Sequence, residues 1–178
     1  MDNEKRQALS VYRMEQAEET LTAAKMCLEY HLYKDCINRS YYVAFYAVKA
    51  VLAIEGVDFK RHKDAVAYFN KMYVASGKVS REVGKRLGRI KTVREDSDYS
   101  EFYIASAEDA AKQYESACFI LEEIKAQGEK FDPEMHEAVM RGQNPDMDDD
   151  TVEMVLEKGY KLRDKVIRHS KVKVISNE

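Results

Sequence analysis

The chain contains only two prolines, Pro133 and Pro145, so the 132 residues that precede them contain none. Proline removes an amide donor and clashes with the preceding turn, so it interrupts helix interiors. A proline-free stretch of this length leaves long helices open. The last third, by contrast, is punctuated by Pro, Gly and Asp and changes its hydrophobic period. Two structural regimes therefore meet near Gly128, and we expect a helical domain over residues 1–127 and a small strand-rich domain over 128–178.

Five amphipathic segments make up the first regime. Met14, Ala17, Leu21, Ala24 and Leu28 recur at helical spacing within about residues 3–30. Ile37, Tyr41, Phe45, Val48 and Leu52 share a face over about 34–55, with Gly56 as the stop. Val66, Phe69 and Tyr73 mark a third segment at 62–74, followed by Gly77, and Val79, Val83, Leu87 and Ile90 a fourth at 79–94. Ser106, with Glu108 and Asp109 behind it, opens the fifth as an N-cap. Its apolar face is expected to carry Ala107, Ala110, Tyr114, Ala117, Cys118, Leu121 and Ile124. Short connections between such segments predict an antiparallel bundle.

Charged residues make up 34% of the chain, and no run reaches the roughly 18 apolar residues of a membrane span. The first ten residues lack a signal-type apolar core, which points to the cytoplasm. Cys27, Cys36 and Cys118 fall in helical patterns without metal-ligand spacing, so buried, reduced thiols are expected. No glycine-rich phosphate loop and no Cys/His metal pattern occurs, so no cofactor is expected. Basic and acidic residues balance up to Gly128, at 20 each, which argues against a globally basic nucleic-acid binder.

Three local features exceed what a bundle needs. Asn38, Arg39, Ser40, Tyr41 and Tyr42 set a polar cluster against paired tyrosines. Arg94 continues the apolar spacing 83, 87, 90 at the end of the fourth segment, where a cation needs a carboxylate partner or an anionic ligand. Glu95, Asp96 and Asp98 are the nearest carboxylates. Lys78, Arg81, Lys85, Arg86, Arg89, Lys91 and Arg94 face one acidic residue, Glu82, a density suited to solvent or to phosphates.

Taken in order, NRSYYVAFYAVKAVL, then Arg61-His62-Lys63 leading into AYFNKMYVASGKVSREVGKRL, then VREDSDYSEF resemble the HEPN domain across about residues 10–124. The small prokaryotic type encoded beside minimal nucleotidyltransferases is the nearest. The resemblance implies an up-and-down bundle that dimerises, and a toxin–antitoxin role as an RNA-binding or ribonuclease-related component. Ligand or nucleic-acid contacts would come from Arg39, Tyr42, Arg61, His62 and Arg94. In a ribonuclease, Arg94, Asp96 and Tyr99 would occupy the catalytic motif. Tyr99, however, stands where the ribonuclease members have histidine, and a phenol titrates near pH 10, too high for a proton acceptor at neutrality. Binding is therefore expected over cleavage.

In the tail, residues 151–156 read as a strand. Tyr160-Lys161-Leu162 and Val166-Ile167-Arg168 flank Arg163-Asp164-Lys165 as a hairpin, and Lys171-Val172-Lys173-Val174 alternates lysine with valine. An acidic loop, Asp148-Asp149-Asp150, precedes them. GEKFDP, HEAV, EKGY and VIR…VKV resemble, in order and spacing, the C-terminal β-domain of GrpE over about residues 122–176. Here His169 replaces a proline of the family pattern and Lys171 a methionine. The N-terminal coiled-coil stalk of the family has no counterpart. The resemblance implies a wedge that engages the ATPase domain of a DnaK-type chaperone and promotes ADP/ATP exchange, with Val152, Lys165, Arg168 and Val174 meeting the partner and His136 held as a hydrogen-bonded structural residue. The fold expected overall is mainly α with a small β appendage.

Overall fold

Each of the five periodic segments becomes a helix because its apolar residues find a common core. The structure, a computed structural model, describes residues 3–100, 102–126, 129–145, 147–162 and 165–177, and leaves the side chains of Lys161, Leu162 and Lys165 outside that description. The helices are α1 (Asn3–Glu29), α2 (Tyr33–Ile54), α3 (His62–Phe69), α4 (Arg81–Tyr99) and α5 (Ala107–Lys125), with a π-helical turn, Asn70–Val74, continuing α3. The chain divides into two compact units, Met1–Ile124 and Lys125–Glu178.

In the first unit α2 is the central element. Thirteen of its residues are buried, among them Ile37, Tyr41, Phe45, Val48 and Leu52, which places it inside the bundle with neighbours on several sides. Met14, Leu21, Phe69, Val83, Leu87, Ile90, Ile120 and Leu121 pack into the same core. Helix α1 contributes mostly small residues, with Ala17 and Ala24 fully buried, so it lies close against α2. Gly56 follows α2 at φ +71°, the left-handed position that ends a helix cheaply only at glycine.

Three expectations need correction here. Helix α4 does not end at Arg94 but runs on to Tyr99, because Lys91–Glu95 and Arg94–Asp98 form i,i+4 ion pairs along the acidic segment. On α5 the buried face holds Gln113, Ser116 and Ile120, while Ala107 is exposed and Tyr114 and Cys118 are only half-buried. The helix begins as expected: the Asp109 amide donates to the Ser106 hydroxyl at 3.0 Å. Of the three thiols, only Cys36 is buried, and Cys27 and Cys118 are partly exposed. Burial pushes the Cys36 thiol up to about 11, which makes it unreactive at neutral pH.

The second unit contains β1 (His136–Gly142), β2 (Val152–Glu157), β3 (Tyr160–Leu162), β4 (Lys165–Arg168) and β5 (Ser170–Ile175). β5 lies between β1 and β2, parallel to the first and antiparallel to the second, and β3 pairs with β4 as a separate antiparallel ribbon. Val152, Val172 and Val174 form its core with Phe131 and Val155. Lys165 opens β4 and is not a turn residue; Arg163 and Asp164, expected in the same turn, lie outside the described residues, as does Gly128.

Candidate functional site

The polar cluster of α2 is the centre of the site in the helical unit. Tyr41 is almost fully buried, yet its hydroxyl shares a hydrogen bond with Nδ1 of His62, 3.1 Å away at the start of α3. The imidazole stacks on Phe45 with ring centroids 3.9 Å apart and meets Tyr42 edge-on at 6.0 Å. Above the Tyr41 ring lies the Arg94 guanidinium, 5.5 Å from the centroid, close enough for a cation–π contact. Arg94 in turn pairs with Asp98 at 2.8 Å, and Asn38 donates to that same carboxylate oxygen. Helices α2, α3 and α4 thus converge on one phenol.

This packing sets the electrostatics. Burial, followed by the charges of Arg94 and Lys49, holds the His62 imidazole below its ordinary range. It is therefore neutral at physiological pH and able to accept a proton. Burial raises the Tyr41 phenol to about 12, opposed by Arg94, so that hydroxyl stays protonated. A neutral imidazole and a permanent cation, bridged by a phenol, suit an anionic ligand whose proton or phosphate needs a partner.

Nearby, Arg39 and Tyr42 line a hollow of about 280 Å³ together with Thr20, Asp35, Asn38 and Tyr46. Asn38 and Tyr42 connect this hollow to the Asp98–Arg94 and His62 side of the cluster. Tyr42 therefore borders both the hollow and the His62 ring, whereas Arg39 lines the hollow alone. Arg61 is in neither place, since its guanidinium is exposed and pairs with Asp64 at 2.7 Å.

The trio Arg94, Asp96 and Tyr99 is not assembled. With about 100° per residue, α4 places Asp96 some 200° and Tyr99 some 140° around the axis from Arg94. Tyr99 is 78% exposed and Asp96 is exposed as well. Because α4 stays helical past Arg94, one chain does not converge these residues on a common substrate. One contributor, Lys49, went unread in the sequence, and Tyr41 was legible as one of the paired tyrosines beside the polar cluster but not as the partner of His62. Lys49 is buried at 9% exposure and binds the Asp58 carboxylate and the Phe59 carbonyl. Arg13 joins them by donating to the Lys49 carbonyl at 3.0 Å. A lysine within an otherwise apolar helical run was the available signal.

In the sheet unit, Val152 and Val174 are buried at 0% and 6% exposure. Alternation turns them inward, so they hold the sheet together and are not offered to a partner. Arg168 is accessible; it pairs with Glu157 at 3.0 Å and lies over the Tyr160 ring. The Lys165 side chain lies outside the described residues. Among the described residues, the apolar side chains that do face outward are Val139, Met140, Leu156, Tyr160 and Ile167. His136 accepts a hydrogen bond from the Asp132 amide at its Nδ1, 3.1 Å away, the role expected of it. It also borders a hollow of about 180 Å³ with Met135, Gly159, Tyr160, Val166, Arg168 and Ser170.

Among the described residues no group of His, Cys, Asp and Glu is arranged to hold a metal ion, and no helix is long and apolar enough to cross a membrane. Comparison with known proteins agrees with the two-part architecture. A UPF0332 protein of Thermotoga maritima is 37% identical over 99 residues, 56% of this chain and 74% of its own length. The crystal structure of an archaeal HEPN homologue superposes with a TM-score of 0.54 at 19% identity, covering 65% of this chain and 94% of that one; this likeness concerns the fold. The GrpE family model matches residues 117–176. Protein GrpE of Staphylococcus epidermidis is 54% identical over 54 residues, and that of Staphylococcus aureus 52%. Those matches span 30% of this chain and only 26% of the GrpE proteins. The HEPN domain model matches residues 10–127, about two thirds of the sequence, and the chain therefore belongs to the HEPN domain family, with a GrpE-like segment at its C-terminal end.

Proposed function

We propose that the chain is a cytoplasmic binding protein whose GrpE-like unit engages the ATPase domain of a DnaK-type chaperone and promotes exchange of ADP for ATP, carried on a dimeric HEPN bundle. The observation that carries this reading is the 54% identity to a GrpE protein over a segment that has its own apolar core. An exchange factor forms no bond. It binds the open state of the nucleotide cleft more tightly than the closed state, and only that difference shifts the population. Arg168, Lys165, Tyr160 and Ile167 are the side chains we assign to the contact, with Val152 and Val174 supporting them from within. Release of a fluorescent ADP analogue from DnaK tests the proposal. Saturating protein should accelerate release, and Arg168→Ala together with Lys165→Ala should reduce the effect. Unchanged release at saturation removes the reading.

The His62–Tyr41–Arg94 cluster favours a second reading for the bundle. Here it acts as a toxin–antitoxin component that binds RNA, or a nucleotidyltransferase partner, through Arg39, Tyr42, His62 and Arg94. A neutral imidazole beside a guanidinium supports it. If the cluster also cleaves RNA, His62→Ala and Arg94→Ala each abolish cleavage. Cleavage that persists in both variants belongs to another protein or another site.

A further inference from the structure

In the sheet unit, one imidazole nitrogen is left without a partner. His136 is 8% exposed, and its Nδ1 accepts from the Asp132 amide. A nitrogen that accepts carries no proton, so the neutral ring holds its hydrogen on Nε2. Among the described residues no acceptor meets that N–H, and a buried donor left unpaired is costly. Asp132 is not part of the wall of the hollow that His136 borders, so the Nδ1 edge turns away from the hollow and the Nε2 edge faces it. Ser170 is the register partner of His136 across β5 and β1. Its hydroxyl oxygen accepts from the Gly159 amide at 2.9 Å, which leaves the hydroxyl hydrogen to donate. Two donors from adjacent strands thus stand side by side at the start of the sheet.

The rest of the wall is apolar. Met135, Val166 and the Tyr160 ring complete the hollow of about 180 Å³, between the ribbon β3–β4 and the start of β5. Its shape depends on Gly159, whose missing side chain lets the ribbon come up against the Arg168 carbonyl and the Ser170 amide. Arg168, the cation at the rim, is already occupied by Glu157, the Lys158 carbonyl and the Tyr160 ring. The hollow therefore offers no uncompensated charge to an acid or a phosphate. What fits its two neutral donors and apolar wall is a neutral acceptor on an apolar body.

Pockets for small molecules run from about 300 Å³ upward, so this one holds a group no larger than a single side chain. We propose that it is an anchor pocket for a partner polypeptide. It takes one apolar side chain of leucine or phenylalanine size, while His136 Nε2 and Ser170 Oγ donate to a backbone carbonyl of the same segment. An extended peptide carries a carbonyl beside every side chain, so the two groups arrive together. Tyr160 and Arg168, already assigned to the chaperone contact, form the rim, and the pocket continues that surface. The identity of the partner, the ATPase domain of a DnaK-type chaperone, rests on the reading above; the chemistry of the pocket does not.

The experiment is an NMR titration of the isotope-labelled full chain with N-acetyl-leucine methylamide. One capped residue binds in the millimolar range, and it should shift the His136 Nε2 resonance and the Gly159 and Ser170 amides along one saturable curve. N-acetyl-alanine methylamide leaves the apolar wall unfilled and should bind about tenfold more weakly. N-acetyl-leucine with a free carboxylate should bind no better than the capped form. Val166→Trp fills the hollow from its own wall. It should abolish the shifts and raise the protein concentration needed for half-maximal ADP release from DnaK by about tenfold or more. The probe titration uses the unaltered chain, so it decides the matter even where the tryptophan variant fails to fold. The pocket is overturned if the leucine probe gives no saturable shift, if the alanine probe binds equally, if the free acid binds more tightly, or if a folded Val166→Trp accelerates release at wild-type concentrations. Binding of the leucine probe by a chain that does not accelerate release removes DnaK as the partner, and the exchange reading with it, but supports the pocket.

Discussion

His62 shows how a single side chain acquires its chemistry from three helices. Burial and the charges of Arg94 and Lys49 all favour its neutral form. The folded imidazole therefore titrates below the ordinary value of about 6.5 of the unfolded chain. In that window the unfolded state binds more protons, so the contribution of His62 to stability is complete above about pH 6.5 and declines as pH falls toward the folded value. The NMR titration of its ring protons should give a midpoint below 6.5, and Arg94→Met should move that midpoint upward. A midpoint at or above the ordinary value, or one unmoved by Arg94→Met, would contradict the cluster as described. None of this was legible in the linear sequence. Tyr41 and His62 are separated by 21 positions, and only the packing of α3 across α2 brings the phenol to the imidazole. Arg94 was legible as a cation in need of a carboxylate. Which carboxylate was decided by helix geometry, since Asp98 is four residues on and Glu95 and Asp96 are not.

At the scale of elements, periodicity disclosed α2 to α5, because each buries a stripe that registers at a 3.6-residue period, whereas α1 buries only Ala17 and Ala24 and owes its legibility to the absence of breakers. Periodicity failed at the end of α4, where Arg-Glu-Asp-Ser-Asp looks like a solvated loop until its i,i+4 pairs are counted. It failed again at β1, which is exposed along nearly its whole length and so shows no alternation. That strand exists because β5 offers it a parallel edge, a tertiary fact. The ribbon β3–β4 depends on a different constraint. An added Cβ at Gly159 would lie 2.4 Å from both the Arg168 carbonyl oxygen and the Ser170 amide nitrogen, and backbone atoms cannot move aside as a side chain can. Gly159→Ala should cost about 1–3 kcal/mol by overpacking. The loss should appear as faster amide exchange at Val172 and Val174 with the α2 amides unchanged, and a variant with wild-type protection throughout would show that the close approach is not a constraint.

At the scale of the whole molecule, the two units differ greatly in what holds them. Among the described residues, the bundle core joins twenty buried residues from its helices and the turns between them, whereas the sheet unit closes over three buried valines with Phe131 and Val155 packed against them. A core in a unit this small supplies no more than about 3–5 kcal/mol. Ion pairs add little, because Glu157 with Lys171 and Arg168 lies at the surface, in water. Cooperative units of unequal stability open separately, so the chain should unfold in two steps and no single free energy describes it. In hydrogen exchange followed by mass spectrometry across a urea series, peptides from residues 129–177 should lose protection first, at concentrations where α2 is still fully protected. A ligand that grips the sheet unit should raise only that first transition, by mass action, and saturating nucleotide-free DnaK is the probe. Simultaneous loss of protection in both segments, with the same urea dependence, would mean that the valine core does not fold on its own account. A first transition that DnaK leaves in place would count directly against the sheet as its binding surface.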